Sequence, residues 1–330
     1  MNDVTLQINL SPGDIAYAGL TVPLLVNAHQ TIANRLLVVD CCRPPKSGIL
    51  DPDLKFPLEA FNEKVFRLKE LAALLEQQCA FTQVVYLEPG LGLYNEVSRK
   101  YLNGLYQHTH TAGGTGNMSY WAGIELTKTK YVLHYDGDML VYQRGDFDWV
   151  AEGVKVLATR QQVISVTPRL CPPTPRSGDA PSLHEGRPLQ SHEEYWVNDW
   201  FSTRCFLLDT AKLSTCLPLV KGAVYWEIFG KKLLRVLPNH PKLKYRLSYP
   251  PDPEILFFKR FAKLGLKRAI LKHTGFWALH PLTKPRAFVE MLPSMIECMG
   301  REDIPESQRG YEDVQIEAWV RFLKFNCIES

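Results

Sequence analysis

Two aspartates, Asp136 and Asp138, follow a short apolar run at residues 131–135 and are separated by Gly137. Side chains alternate between faces along an extended backbone, so residues two apart face the same side. Two carboxylates on one side supply the hard oxygen ligands that Mg²⁺ and Mn²⁺ prefer. The spacing therefore predicts a divalent metal site. Asp-Gly is also common in tight turns, so a polar turn is the alternative interpretation.

Glycines lie where an anionic ligand could approach the backbone. Gly137 has no Cβ atom, which leaves room for a bulky anion beside the two aspartates. A glycine-rich segment at residues 112–117 precedes a predicted helix at 117–127. A helix N-terminus of this kind can hold phosphate on its backbone N–H groups. The segment matches neither standard nucleotide-binding glycine motif, so a plain tight turn is the alternative.

The elements that have to position these residues alternate between strands and helices. Helical spacing of apolar residues is found at 15–33 and, most clearly, at 58–78. Strand–helix–strand order is typical of a right-handed crossover onto a parallel sheet. Ligands of such sheets bind at the carboxyl ends of strands, where Asp40 and both aspartates lie. The strands of this part are predicted at 4–10, 36–40, 82–87 and 131–135.

The remainder of the chain continues the mixed pattern. A proline-rich segment at 168–189 is expected to be a long surface loop. Strands are predicted at 163–167, 201–208 and 267–271, and helices at 148–160, 224–236, 254–264, 288–299 and 314–325.

Composition restricts the class of protein. The chain has 330 residues, 45% of them hydrophobic and 22% charged, and a net charge of +3. This allows a large core and gives no support for a nucleic-acid partner. The eight cysteines form no CxxC pair, which argues against zinc and favours a reducing, cytoplasmic location. We expect no signal peptide and no transmembrane segment, while peripheral membrane contact is compatible with these properties.

The order of these features resembles a known enzyme class. A strand ending in Asp40, a glycine-rich turn with Asn117, the Asp-Gly-Asp strand and a later acidic helix start occur together in residues 4–280. This resembles the GT-A-fold glycosyltransferases, in particular the large inverting family that includes cellulose, chitin and hyaluronan synthases. The QxxRW motif and membrane helices of the processive synthases are absent, so the resemblance is to a soluble, non-processive member. It implies an α/β, GT-A-like fold, with a mostly parallel Rossmann-type sheet flanked by helices and a C-terminal helical extension.

The resemblance also implies an activity and a set of ligands. The expected reaction moves a sugar from a nucleotide-diphosphate sugar donor to an acceptor hydroxyl or amine, with inversion and with Mn²⁺ or Mg²⁺ as cofactor. The metal ligands implied are Asp136, Asp138 and His280, which stands fifteen residues after Gly265. Residues 1–143 are expected to bind the donor, 144–285 to form the acceptor side of the same domain, and 286–330 to form C-terminal helices. The donor-binding residues implied are Ser11, Pro12, Asp40, Asn117, Asp136 and Gly137.

Inversion requires a base that removes the acceptor proton. Glu254 and Asp252, at the start of the predicted helix at 254–264, are the first candidates, and Glu227 is the next. The alternative for Glu254 is an acid that stabilises the helix dipole, and for Glu227 a solvated helix face. Four tryptophans are candidates either to stack on sugar rings or to pack in the core, namely Trp196, Trp200, Trp226 and Trp277.

Three other classes of function are considered. A phosphatase of the haloacid-dehalogenase type also carries Asp-x-Asp after an apolar strand, but that strand comes first in its fold. A nucleotidyltransferase that makes nucleotide sugars shares the nucleotide-binding half, but needs basic residues in the loop after its first strand. A non-catalytic carbohydrate-binding scaffold predicts no metal-linked binding of a nucleotide diphosphate. The acceptor is not identified by the sequence.

Overall fold

A computed structural model describes residues 1–145, 147–174, 181–183, 188–222, 225–226, 229–230 and 249–326. Its described strands form one nine-stranded sheet and one two-stranded sheet. The strands are β1 Val4–Leu10, β2 Asn34–Asp40, β3 Gln83–Leu87, β4 Tyr131–Asp136, β5 Leu140–Gln143, β6 Val163–Thr167, β7 Gln190–Ser191, β8 Tyr195–Asn198, β9 Cys205–Asp209, β10 Lys267–Leu271 and β11 Phe276–Leu279. The helices are α1 Ala18–Asn27, α2 Pro52–Lys55, α3 Leu58–Cys79, α4 Gly92–Leu102, α5 Met118–Leu126, α6 Trp149–Thr159, α7 Thr210–Cys216, α8 Pro253–Lys263, α9 Arg286–Gly300 and α10 Ile316–Asn326.

The large sheet is mostly parallel. Its order is β3-β2-β1-β4-β9-β6-β10-β8-β7, and β1 pairs in parallel with both β2 and β4. The antiparallel pairs all involve β8 or β9. From β1, the next two strands of the chain, β2 and β3, are added on one side, and β4 is added on the other side. The carboxyl ends of β1 and β4 therefore flank the switch point at which open α/β sheets bind ligands.

Helices cover both faces of this sheet. Helices α1, α3 and α6 bury Val22, Leu68 and Val150 in one core with the apolar side of β1 and β4. Helices α4, α5 and α8 pack on the opposite face in a second core that includes Trp121 and Phe257. Strands such as β2 and β6 are buried along nearly their whole length because both faces are covered.

A third core extends the molecule beside the sheet. The two-stranded sheet of β5 and β11 packs against α9 and α10 and buries Trp277, Phe288 and Trp319. Its strands begin or end close to Asp138 and His280 in the sequence. This core therefore supports the segments that carry those two side chains.

The expected fold class is confirmed: the described chain is α/β, with a mostly parallel sheet flanked by helices and with helices after residue 285. The apolar run at 131–142 is divided, however, between β4 in the large sheet and β5 in the small one. The predicted strand at 201–208 starts only at Cys205. Most of the predicted helix at 224–236 lies outside the described residues. Within the described residues, no helix is both long and apolar enough to cross a bilayer.

Candidate active site

A cavity of about 380 Å³ opens at the carboxyl ends of β1, β2 and β4. Five of the six residues predicted to bind the donor line it, the exception being Asn117. The sheet brings them together although they are spread over more than one hundred residues of sequence. The lining positions are Ser11, Pro12, Asp40, Asp136 and Gly137, joined by Asp138.

Asp138 lies just after the end of β4, in a turn, with its side chain 8% exposed. Its Oδ2 atom lies 2.5 Å from the Lys284 Nζ and 3.6 Å from the His280 Nε2. Its Oδ1 atom is buried and accepts no hydrogen bond from the described residues. A buried carboxylate oxygen without a donor carries a desolvation cost, which a cation or a ligand N–H would relieve.

Asp136 is the last residue of β4 and already has protein partners. Its Oδ1 accepts a hydrogen bond of 2.7 Å from the Tyr120 hydroxyl and lies 3.3 Å from the His134 Nε2. Tyr120 lines the same cavity, while His134 is fully buried. These contacts fix the orientation of Asp136 at the cavity wall.

Gly137 is tightly packed between strand ends. A Cβ atom there would lie 2.3 Å from the Leu10 Cδ2 and 2.9 Å from the Asn9 carbonyl oxygen. The Thr21 hydroxyl donates to the Gly137 carbonyl. Close packing of β1 against the turn therefore requires glycine here. The proposed use of the same space by an anion stays a prediction.

Asp14 is a cavity residue that sequence reasoning did not select. Its carboxylate accepts hydrogen bonds from the Ser11 N–H at 2.6 Å, the Ser11 hydroxyl at 2.9 Å and the Tyr17 hydroxyl. Burial raises the pKa of Asp14 to about 6; the hydrogen bond from Tyr17 opposes this shift, and the charge of Asp138 adds to it. The turn after β1 thus adds a third acid beside the Asp136 and Asp138 pair.

Asp40 and Asn9 line the inner wall of the cavity. The Asp40 Oδ1 accepts a hydrogen bond of 2.9 Å from the Cys42 N–H, and burial raises the Asp40 pKa to about 7. Asn9 is 8% exposed, and its Nδ2 atom donates no hydrogen bond to the described residues. Its Oδ1 is held by the Gln7 amide at 3.0 Å. Asn9 therefore presents a buried donor and Asp138 a buried acceptor within one cavity.

Asn117 does not face the cavity. It is fully buried; its Nδ2 donates to the Pro251 carbonyl at 2.6 Å, and its Oδ1 accepts from the Trp121 indole. Both ends of the amide are used inside the protein. The residue consequently ties the start of α5 to the segment before α8 and does not contact a ligand in this arrangement.

His280 is held by a distant part of the chain. Its backbone N–H donates to the Glu312 carbonyl, and its carbonyl accepts from the Val314 N–H, both at 2.9 Å. The His280 Nδ1 lies 3.4 Å from the Asp313 Oδ1, which leaves the Nε2 atom directed at Asp138. A carboxylate on one imidazole nitrogen fixes the orientation of the other, as is common for metal-binding histidines.

A second cavity of about 360 Å³ has His280 in its wall. Its wall includes Glu254, Arg204, Trp200 and His280. The Glu254 Oε1 accepts a hydrogen bond of 3.2 Å from the Thr203 N–H, and burial raises the Glu254 pKa. Since His280 lines this cavity and contacts Asp138 in the first, the Asp138–His280 contact links the walls of the two cavities.

The remaining candidates for the catalytic base and for stacking on a sugar ring mostly lie away from the two cavities. Asp252 is exposed and lines neither cavity, and Glu227 lies outside the described residues. Trp196 and Trp277 are buried, so core packing is their observed role, whereas Trp200 is 40% exposed at the second cavity. Trp226 is 67% exposed and lines neither cavity.

The residues present fit a divalent cation that is completed by its substrate. Within the described residues, no group of three or more His, Cys, Asp or Glu side chains is arranged to hold a metal. Asp138 offers an unused buried oxygen, and His280 offers an imidazole nitrogen 3.6 Å from the same carboxylate. Mg²⁺ and Mn²⁺ sites commonly use one or two protein ligands, with substrate phosphates and water supplying the rest. Asp136 already uses its Oδ1 for the Tyr120 hydroxyl, as Asp138 uses its Oδ2 for Lys284.

Comparisons with known proteins were made on sequence and on structure. No protein-family model matches the chain, and no curated protein matches it in sequence. Similar solved structures include GalNAc-T7 with UDP, GalNAc and Mn²⁺, with 10% identity, a TM-score of 0.42 and coverage of 85% of this chain and 44% of that one. Another is Mycobacterium tuberculosis glucosyl-3-phosphoglycerate synthase with Mn²⁺, UDP and glucosyl-3-phosphoglycerate, with 11% identity, a TM-score of 0.34 and coverage of 90% and 78%.

A third similar structure is Staphylococcus aureus TarS, with 10% identity, a TM-score of 0.36 and coverage of 98% of this chain and 42% of that one. This chain therefore spans less than half the length of the GalNAc-T7 and TarS chains. At these identities and TM-scores, the likenesses assign neither a family nor an activity. The expectation of the cellulose and chitin synthase family stays a prediction.

Proposed function

We propose that the protein transfers a sugar from a nucleotide-diphosphate sugar to an acceptor, in a reaction that depends on Mn²⁺ or Mg²⁺. The observation that carries this proposal is the Asp138–His280 contact, which links the wall of one cavity to the wall of another. One cavity lies at the switch point of the sheet and is suited to a nucleotide. The other contains a half-buried carboxylate, Glu254, with a raised pKa. A group transfer between two bound molecules needs two neighbouring sites, and the contact between the two walls supports this.

Charge in the first cavity favours a donor that arrives with a cation. The described lining residues include four carboxylates, Asp14, Asp40, Asp136 and Asp138, against one lysine, Lys64. Acids outnumber basic groups here even with Lys284 paired to Asp138, so a diphosphate without a cation would meet net repulsion. Asp138 and His280 are the side chains that would hold a divalent ion, which, when bound, would neutralise the negative charge that develops on the departing diphosphate. Asn9 and the N–H groups of the wall would orient the donor.

We assign the acceptor to the second cavity and the base to Glu254. Its raised pKa makes Glu254 a stronger base than an exposed glutamate, and the Thr203 N–H fixes one of its oxygens. Glu254 would take the proton of the acceptor hydroxyl or amine as that atom bonds to the sugar. Trp200 at the cavity wall offers an aromatic face for an acceptor ring. Inversion follows from a base on the side opposite the diphosphate, and stays part of the proposal.

Calorimetry of UDP, GDP and dTDP with and without Mn²⁺ tests this function. At least one nucleotide should bind with Mn²⁺ and bind much more weakly without it. Asp138→Asn should remove this metal linkage, whereas Asp303→Asn, a change at an exposed aspartate, should leave it intact. No metal-linked binding of any of the three nucleotides would contradict the proposal and leave the carbohydrate-binding scaffold as the better reading. Binding of a nucleoside triphosphate together with a sugar phosphate would favour the nucleotidyltransferase.

A further inference from the structure

The ammonium group of Lys284 forms an ion pair with Asp138. Lys284 lies in the segment between β11 and α9, more than one hundred and forty residues after Asp138. Its Nζ is 2.5 Å from the Asp138 Oδ2 and 5.7 Å from the centroid of the Tyr17 ring, and its side chain is 28% exposed. The sequence patterns did not point to this residue.

The oxygen held by Lys284 is the one that faces His280. The His280 Nε2 lies 3.6 Å from the same Asp138 Oδ2. A metal ion shared by this carboxylate and this imidazole would therefore lie in the immediate surroundings of the ammonium group. Two cations that close repel each other strongly in a partly buried site. The unused Oδ1 belongs to the same carboxylate, so a divalent ion bound through either oxygen competes with Lys284 for the charge of Asp138.

We propose that Lys284 is the resident counter-cation of Asp138, and that a divalent cation has to displace its ammonium group to bind there. This inference rests on the proposed function, since it assumes that Asp138 receives the metal. It predicts that the metal alone binds weakly. Metal binding becomes favourable when a nucleotide diphosphate supplies further ligand oxygens and negative charge.

Binding of Mn²⁺ in the absence of nucleotide tests the competition. Free Mn²⁺ would be measured by electron paramagnetic resonance during titration of the wild-type chain, Lys284→Met and Arg286→Met. Lys284→Met leaves the buried Asp138 carboxylate without its ammonium partner, so Mn²⁺ should bind about tenfold more tightly or better. Arg286→Met removes the same charge two residues away, at a side chain that is 91% exposed and paired with Glu290, and should change affinity little.

Two further measurements do not require the methionine variant to be stable. Lys284→Arg keeps a cation on the carboxylate, so it should not tighten Mn²⁺ binding. In the wild-type chain, release of Lys284 by saturating Mn²⁺ should increase acetylation of its amine, which mass spectrometry of peptides can follow. Lys155, paired with Glu152 far from the cavity, provides the internal reference.

The outcomes separate this inference from the proposed function. An unchanged Mn²⁺ affinity in Lys284→Met, or unchanged acetylation of Lys284 on Mn²⁺ binding, would overturn the counter-cation role. If Mn²⁺ binding tightens as expected but no nucleotide diphosphate binds with it, the counter-cation role stands and the transferase proposal fails. If nucleotide binding is linked to metal while Lys284→Met has no effect, only the counter-cation role fails.

Discussion

At the scale of single residues, Asp40 is a buried acid at the end of β2 whose pKa is raised from 3.8 to about 7. Between these values the unfolded chain releases the proton of Asp40 while the folded chain keeps it. The free energy of unfolding therefore falls as pH rises through this window, by at most about 4 kcal/mol for this group. Above about pH 7 the free energy of unfolding stays lowered by this full amount, because the ionised carboxylate of Asp40 remains buried.

Replacement of Asp40 by asparagine should remove this pH dependence. The amide oxygen can still accept the hydrogen bond from the Cys42 N–H. We expect Asp40→Asn to be more stable than the wild type at about pH 8, with a much smaller difference at about pH 5. Chemical denaturation at both pH values measures the two differences. Equal differences at both values would show that the folded-state pKa of Asp40 is not raised.

Glu254 gives the second prediction at this scale. Glu254→Gln should retain metal-linked nucleotide binding and lose sugar transfer by about 100-fold or more, since a general base contributes roughly that factor. Because only the ionised carboxylate accepts a proton, wild-type kcat/KM should fall as pH drops through a pKa above the ordinary value of 4.5. Rates would be followed with any acceptor found by screening. Retention of turnover by Glu254→Gln would direct attention to Asp252 or Glu227.

The sequence identified cavity residues only where a reactive residue type also stands at the end of a predicted strand. Asp136 and Asp138 lie two residues apart at a strand end, and both line the cavity. Asp14 could have been noticed, because it follows β1 at the same edge of the sheet. Lys284 could not, because the third core brings it to Asp138 from a loop without a distinguishing pattern. Asn117 stays a prediction as a donor residue; a polar residue at a helix start can serve packing as well as a ligand, and here its amide bonds within the protein.

At the scale of elements, the turn between β4 and β5 depends on Gly137. An added Cβ atom would overlap the Leu10 side chain and approach the Asn9 carbonyl. We expect Gly137→Ala to lower the free energy of unfolding by about 1–3 kcal/mol, the usual cost of overpacking. Thermal and denaturant unfolding measure this change.

Gly92→Ala is the matched control for this substitution. Gly92 is the first residue of α4, and an added Cβ atom would meet no heavy atom within 4 Å. Alanine there should be neutral or stabilising, by up to about 1 kcal/mol. Equal effects of the two substitutions would show that loss of backbone freedom, and not close packing, dominates at both positions.

Helices and central strands were predicted well because their patterns are local. The apolar spacing of 58–78 corresponds to α3, and the short apolar runs correspond to β1, β2 and β6. The small sheet was missed because β5 and β11 are short, and they pair across more than one hundred and thirty residues. The predicted strand at 131–135 corresponds to β4, whereas β5 was not predicted, because periodicity does not record where the chain enters a second sheet.

At the scale of the whole molecule, the third core couples the C-terminal helices to the cavities. Phe288 in α9 is fully buried and contacts the Tyr17 ring, whose hydroxyl donates to Asp14. We expect Phe288→Ala to cost about 3–5 kcal/mol in stability. Phe66→Ala, at a side chain that is 63% exposed, should cost less than about 0.5 kcal/mol. A small cost for both would show that this core contributes little to stability.

The overall organisation was predicted in outline. Strand order and mixed composition are enough to indicate an α/β sheet, because crossover rules restrict how such elements connect. The division into 1–143, 144–285 and 286–330 stays a prediction. The described contacts join these parts closely, since Asp138 from the first contacts His280 and Lys284, and Asp313 from the last contacts His280. These contacts join residues far apart in the sequence, so the periodicity of apolar residues cannot predict them.

The backbone pairing of His280 with residues 312–314 has a consequence for biosynthesis. A ribosome that has translated β1 to β4 has supplied the strands around the first cavity, but His280 beside Asp138 lacks its backbone partners until residue 314 has also emerged. Under the proposed function, a nascent chain at that stage would have its donor cavity but an incomplete metal site. Completion of that site would wait for the translation of residues 312–314.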